Sequence, residues 1–137
     1  MKKTAHFKFE TPKIVGILSD KEIPARLQKK FDLLFARRTL PYICLPFKVE
    51  ARYLKNVIAC MRIMDIAGLI VTGTHTKRIS YLVPTLSRSA KDSGIVNIIS
   101  RNKNRFIGHY ISDVNKFFDS AIDLLTSPKP QETLKKL

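Results

Sequence analysis

The chain reads as an α/β domain: a three-layer sandwich with a mostly parallel sheet flanked by helices, then a hairpin and a closing helix at its C-terminal end. Three observations predict this class. Residues 14–18, 42–47 and 69–71 are short, unbroken apolar runs, as expected of strands covered on both faces. Between them lie stretches whose apolar residues recur at helical spacing. Late in the chain, the Asn-rich segment Arg101-Asn102-Lys103-Asn104-Arg105 separates two further apolar runs, which signals a hairpin. Strands alternating with helices, followed by that hairpin, argue for a mostly parallel sheet with one antiparallel pair.

Residues 1–12 alternate polar and apolar character up to Pro12 and read as an N-terminal arm or an edge strand; residues 13–126 form the domain. Strand 14–18 stops at Ser19-Asp20. Pro24 fits the first turn of a helix, where its missing N–H costs nothing. In that helix Leu27, Phe31, Leu34 and Phe35 form the core face, while Arg26, Lys29, Lys30 and Arg37 go to water. Strand 42–47 is punctuated by Pro41 and Pro46, which argues for a strand near a sheet edge or one that ends early. A helix over 51–65 carries the stripe Leu54, Val57, Ile58, Met61 and Met64. After strand 69–71, residues 79–86 read as a helix broken near Pro84, with one more turn over 87–92. Strands 95–100 and 106–111 flank the hairpin turn. Ser112 or Asp113 caps the last helix, with Val114, Phe117, Phe118, Ala121, Ile122 and Leu125 on its buried face. Residues 127–137 read as a tail with little to bury.

Gly68 to Lys77, Gly-Leu-Ile-Val-Thr-Gly-Thr-His-Thr-Lys, reads as a buried strand delivering Thr72, His75 and Lys77 to one short loop. Sites in open α/β sheets gather outside the carboxyl ends of strands. His75 is a candidate acid or base or an incidental loop residue. Lys77 is either a site residue or a solvent-facing neighbour of Arg78, and Thr72 a ligand contact or a β-branched strand residue. Asn97 is an amide in an apolar strand, so its groups need hydrogen bonds; it either braces the Thr72 loop or touches a ligand. Asp113 caps a helix or faces a site. His109 alternates outward on its strand, and His6 lies in the arm. The three His and two Cys have no metal-ligand spacing.

Over residues 13–125 these segments resemble the substrate-binding domain of shikimate dehydrogenases. The resemblance rests on Lys13-Ile14-Val15-Gly16-Ile17-Leu18-Ser19, on the Leu40-Pro41-Tyr42-Ile43-Cys44-Leu45-Pro46-Phe47-Lys48-Val49-Glu50 run and the helix after it, and on the three site segments. The family's loop pattern, Asn-Val-Thr followed by any residue, Pro, any residue and Lys, meets Ile70-Val71-Thr72-Gly73-Thr74-His75-Thr76 here, with Lys77 one position late. Its Gly-x-Asn-Thr-Asp meets Gly108-His109-Tyr110-Ile111-Ser112, with Asp113 again one late. Asn97 falls where the family's binding Asn does. The Ser-x-Ser pair that holds the substrate carboxylate before a Pro is replaced by Lys21-Glu22-Ile23 before Pro24. The resemblance implies a shikimate or 3-dehydroshikimate ligand, Lys77 and Asp113 converging on its hydroxyl, Thr72 and Asn97 binding it, and Lys21 offering charge to its carboxylate.

The family's enzymes also carry an NADP-binding half. At 137 residues the expectation is one domain, ending where that half would begin. The glycines, Gly16, Gly68, Gly73, Gly94 and Gly108, never fall two apart, so neither G-x-G-x-x-G nor a P-loop is present. The expected function is a shikimate dehydrogenase-like substrate-binding domain that is not catalytic alone, with no cofactor in this chain and NADP only with a partner domain. Two alternatives stand: the substrate half of a split shikimate or quinate dehydrogenase working with a nucleotide-binding partner chain, and a basic nucleic-acid-binding module. The last follows from 25 Lys+Arg against 11 Asp+Glu, a formal charge of +14 scattered along the chain. Cys44 and Cys60 read as buried reduced thiols, and the N-terminus lacks the apolar core of a signal peptide. With no apolar run of membrane-spanning length, a cytoplasmic location and no membrane partner are expected.

Overall fold

A computed structural model of the chain describes residues 11–126. Most of the predicted arm and all of the predicted tail lie outside the described residues. Within them, β1 (Lys13–Ser19), α1 (Ala25–Arg37), β2 (Tyr42–Lys48), α2 (Val57–Ile63), β3 (Ile66–Val71), α3 (His75–Arg78), β4 (Thr85–Leu86), α4 (Arg88–Ser93), β5 (Ile98–Asn102), β6 (Arg105–His109) and α5 (Phe117–Thr126) follow in order. The strands form one six-stranded sheet of order β2-β1-β3-β5-β6-β4. Strand β1 pairs parallel with β2 and β3, and β4 pairs parallel with β6. Only β5 runs against its neighbours, antiparallel to β3 and β6. The expected three-layer α/β sandwich is therefore present, and the Pro-punctuated β2 occupies an edge, where a missing N–H breaks no ladder.

The apolar runs are unbroken because the sheet is covered twice. Val15, Ile17, Ile70 and Ile98 pack on one face with Phe31 and Phe35 of α1 and Ala121, Ile122 and Leu125 of α5. Leu18, Leu69, Val71, Ile99 and Phe106 pack on the other with Leu54, Val57 and Met61. Each fully buried Phe or Leu contributes about 1.5–3 kcal/mol. Two glycines let these layers close. A Cβ on Gly16 would lie 2.5 Å from Phe47 Cδ2, and one on Gly68 would lie 2.5 Å from Leu125 Cδ2 and 2.9 Å from the Ile99 carbonyl oxygen.

Arg101 locks the second face. Its Nη1 donates to the carbonyls of Met61 (3.3 Å) and Ile66 (3.2 Å) and to Asp65 Oδ1 (3.1 Å), so one guanidinium closes the C-terminal end of α2 and starts β3. Asp65 makes that turn with a φ of 55°. The Arg101 and Arg62 guanidiniums also lie 5.2 Å and 4.9 Å from the Phe106 ring centroid.

Several expectations change. The helix expected over 51–65 begins as a tighter turn, Ala51–Asn56, and ends at Ile63, leaving Met64 59% exposed instead of in the core. Residues expected to continue a helix to 86 instead give a short turn, Ile79–Tyr81, and then β4, because Pro84 has no N–H for a helix and the β6 edge is free to pair. The last helix starts at Phe117, five residues after Ser112, and Val114 is 81% exposed. Both cysteines are free, but only Cys44 is buried; Cys60 lies on the solvent side of α2. Burial, helped by the Asp32 charge, pushes the Cys44 thiol up to about 12, so it is inert.

His109 corrects another reading. It faces inward across β5, and its Nε2 lies 2.8 Å from Oγ of the buried Ser100. Burial lowers its imidazole from 6.5 to about 4.

Two outcomes test this packing. Gly68→Ala should destabilise the fold by about 1–3 kcal/mol, since Leu125 or the β5 backbone must move; urea titration measures it. Below pH 6.5 the unfolded chain takes up a proton that native His109 refuses, so stability should fall as pH drops, levelling off below about 4. The loss reaches about 3 kcal/mol, and His109→Gln, which keeps a partner for Ser100, should remove it.

Candidate functional site

The carboxyl ends of β1, β2, β3 and β6 and the start of β5 meet at one edge of the sheet, the position where open α/β sheets place ligands. Here the predicted residues are largely tied to one another. The Leu18 carbonyl at the end of β1 accepts two hydrogen bonds from Thr72, one from its backbone N (2.9 Å) and one from Oγ1 (3.0 Å). Thr72 is thus a strap between β1 and β3. Gly73 follows with a φ of 66°, a conformation that turns the chain into α3 at little cost.

That turn decides the fate of His75 and Lys77. His75 is fully buried, and its Nε2 donates to the Val49 carbonyl at 2.6 Å, joining α3 to the segment after β2. Its Nδ1 is buried with no partner. The sequence placed His75 in an open loop; instead it is a buried link. Lys77, two residues on in the same turn of helix, is exposed, and its carbonyl accepts from Ser80 Oγ at 2.6 Å.

Asn97 braces a segment, although a different one than expected. Its Nδ2 donates to the Ile111 carbonyl and its Oδ1 accepts from the Ile111 N–H, both at 2.9 Å. Its backbone carbonyl accepts from Val71 N and its N–H donates to the His109 carbonyl, each at 2.9 Å. One residue therefore ties the ends of β3 and β6 through its backbone and the following segment through its side chain. Asp113 lies beyond that segment, exposed, with Oδ1 accepting from Asn115 N at 2.9 Å. It caps a turn ahead of α5, and it forms no ion pair with Lys77.

Lys21 is exposed on the β1–α1 connection, its backbone N donating to Ser19 Oγ at 3.1 Å. Beside it stands Asp20, which by sequence marks only the end of a strand. Asp20 accepts from Thr74 Oγ1 at 2.9 Å, and that hydroxyl holds its carboxyl below the usual range. The available signal was position: Ser19-Asp20 ends one strand as Thr72 to Thr74 ends its parallel neighbour. Lys21, Lys77 and Asp113 are thus the exposed charged groups among the predicted residues, and Thr72, His75 and Asn97 build the floor.

Gly16, Gly68 and Gly108 sit within strands against neighbouring side chains, and the positive-φ glycines, Gly73 and Gly94, do not form a paired phosphate loop. Among the described residues no group of three or more His, Cys, Asp or Glu is placed to hold a metal, and no helix is long and apolar enough to cross a membrane.

Together the sheet order and the strand-end site define an α/β fold of the kind seen in the substrate-binding domains of shikimate dehydrogenases. A shikimate 5-dehydrogenase from Listeria monocytogenes, solved with shikimate and NAD, superposes with a TM-score of 0.67 at 25% identity, covering 82% of this chain and 38% of that one. Shikimate dehydrogenase 1 from Peptoclostridium difficile superposes with a TM-score of 0.68 at 20% identity, covering 79% and 39%. No family model matches the sequence. Among curated relatives, the NADP(+) shikimate dehydrogenase of Alkaliphilus metalliredigens is 30% identical over 98 residues, 72% of this chain and 34% of that protein. That of Dehalococcoides mccartyi strain CBDB1 is 36% identical over 83 residues, 61% and 29%. The chain is a homologue of the shikimate dehydrogenases, and it spans about a third of their length.

Asn97→Ala should lower stability by about 2 kcal/mol, since both Ile111 backbone groups lose their partner. Hydrogen exchange should show the Ile111 amide among the sites most accelerated.

Proposed function

We propose that this chain acts as a ligand-binding domain of the shikimate dehydrogenase type, taking a small hydroxylated carboxylate of the shikimate class and not transferring hydride by itself. The observation that carries this reading is the split at the strand ends: Thr72, His75 and Asn97 bond to backbone carbonyls or amides, while Lys21, Lys77 and Asp113 remain exposed around them. A floor fixed by backbone bonds keeps its shape without ligand. Exposed lysines supply charge for a carboxylate where the family's two hydroxyls are absent. Exposure also argues for weak binding, because each ionic contact there is made in water. Proton transfer would need Lys77 and a carboxylate in hydrogen-bond reach of one substrate hydroxyl, and Lys77 has no acidic partner among the described residues.

A second reading is favoured by the coverage of the relatives: the chain corresponds to about a third of an NADP-dependent enzyme. Hydride transfer would then require a nucleotide-binding domain supplied from elsewhere. Exposed Tyr81 and Leu82, ahead of β4, and Val114, after β6, offer apolar surface for it.

Titration of shikimate into isotope-labelled protein, followed by backbone amide shifts, tests the first reading. Saturable shifts at millimolar ligand, confined to Lys21, Thr72, Lys77, Asn97 and Asp113, are expected. Lys21→Ala should weaken binding severalfold, and unchanged affinity would remove Lys21 from the site. No shift at any residue would leave only the scaffold as inherited. NADPH-dependent turnover that appears only on adding a nucleotide-binding polypeptide would establish the second reading.

A further inference from the structure

Helix α1 carries a charge pattern that its own stability does not require. At about 100° per residue, Arg26, Lys29, Lys30, Leu33 and Arg37 fall within about 100° of arc. All five are exposed, on the side opposite the fully buried Phe31 and Phe35. From Arg26 to Arg37 the stripe runs about 16 Å along a rigid helix. The first turn holds no acidic residue, so Arg26 faces the positive end of the helix dipole, where a cation is disfavoured.

The nearby carboxylates are already engaged. Asp32, the helix's one acid, accepts from the Cys44 N–H at 2.8 Å. On the adjoining α5, Asp119 and Asp123 pair with Arg38, and Glu22 pairs with Lys48. Lys30 Nζ sits 4.1 Å from the Phe118 ring centroid and keeps its charge. Arg26, Lys29 and Arg37 have no ion-pair partner among the described residues.

We propose that this face of α1 binds the phosphate backbone of a nucleic-acid duplex, without reading its sequence. Cations fixed along a straight line neutralise successive phosphates and release their counterions, which is the main source of non-specific affinity. The stripe has no exposed ring on which a single strand's bases would stack; the adjacent Phe118 lies beneath Lys30. Its single apolar residue, Leu33, is too little to enter a bilayer, because the helix's apolar face is already in the core. This surface is formed by α1, apart from the strand-end site, and stands or falls independently of it.

The test is fluorescence anisotropy with 20-base-pair duplexes of DNA and of RNA, a single strand of the same sequence, and anionic vesicles, across about 50–200 mM KCl. Three or four phosphate contacts predict a log–log salt slope of about −3 and a loss of affinity of roughly a hundredfold over that range. The triple variant Arg26→Gln, Lys29→Gln, Arg37→Gln should flatten the slope by about 2 or more. The charge-matched control Arg88→Gln, Lys91→Gln, Arg105→Gln, also at exposed positions, should bind like wild type. Preference for the DNA or the RNA duplex would identify the source. An equal loss in both triples, tighter binding to the single strand or to vesicles, or no duplex binding at 50 mM KCl would overturn the proposal.

Discussion

Between Ile66 and Gly68, strand β3 gains one residue on its partner β1: Ile14 pairs with Ile66, but Val15 pairs with Gly68. Because side chains alternate across a sheet, that one extra residue exchanges the faces of everything after it. It sends Gly68 and Ile70 toward α5 and α1, and Leu69 and Val71 toward α2. The same register brings Val71 opposite Leu18, so that Thr72 emerges where its amide and hydroxyl both reach the Leu18 carbonyl. Arg101 holds the start of this strand, and the Asn97 carbonyl holds its end. Core, clamp and strand-end floor all depend on where β3 sits.

At the strand ends the protein's own backbone takes up the polar groups of the strand-end residues. Buried donors and acceptors must be satisfied, and in this chain backbone carbonyls and amides do most of that work for Thr72, His75 and Asn97. Charge is left to flexible side chains at the rim, and such contacts are weak and salt-sensitive. Homology to a family of dehydrogenases therefore fits the fold more closely than it fits the chemistry at these positions.

The apolar pattern made most of the fold legible. Unbroken runs marked β1, β2 and β3, Pro46 marked the edge, and Phe31 and Phe35 marked the buried side of α1, since burial on both faces of a sheet or one face of a helix needs no distant information. Met64 and Val114 misled for one reason: helical periodicity says which side a residue is on, but not where the helix ends. Strand β4 is two residues long and gains its identity only from pairing with β6. Cys60 looked buried from its apolar neighbours, while the orientation of α2 put it in water.

For the site, sequence named Asn97 as an amide within an apolar strand and Thr72 and His75 as polar residues of one short loop after a strand, and all three lie at the strand ends. Sequence alone determined the order of the longer elements, the two-faced core, the missing glycine fingerprint and the net charge, because those are properties of residue type and spacing. Only the tertiary structure decided that Asn97 binds the Ile111 backbone, that His75 turns inward while Lys77 turns out, and that Arg26, Lys29 and Arg37 on α1 are exposed with no ion-pair partner among the described residues. The Asn97 and His75 outcomes depend on partners 14 and 26 residues away along the chain, and the pattern of a local segment carries no record of what the fold will bring against it.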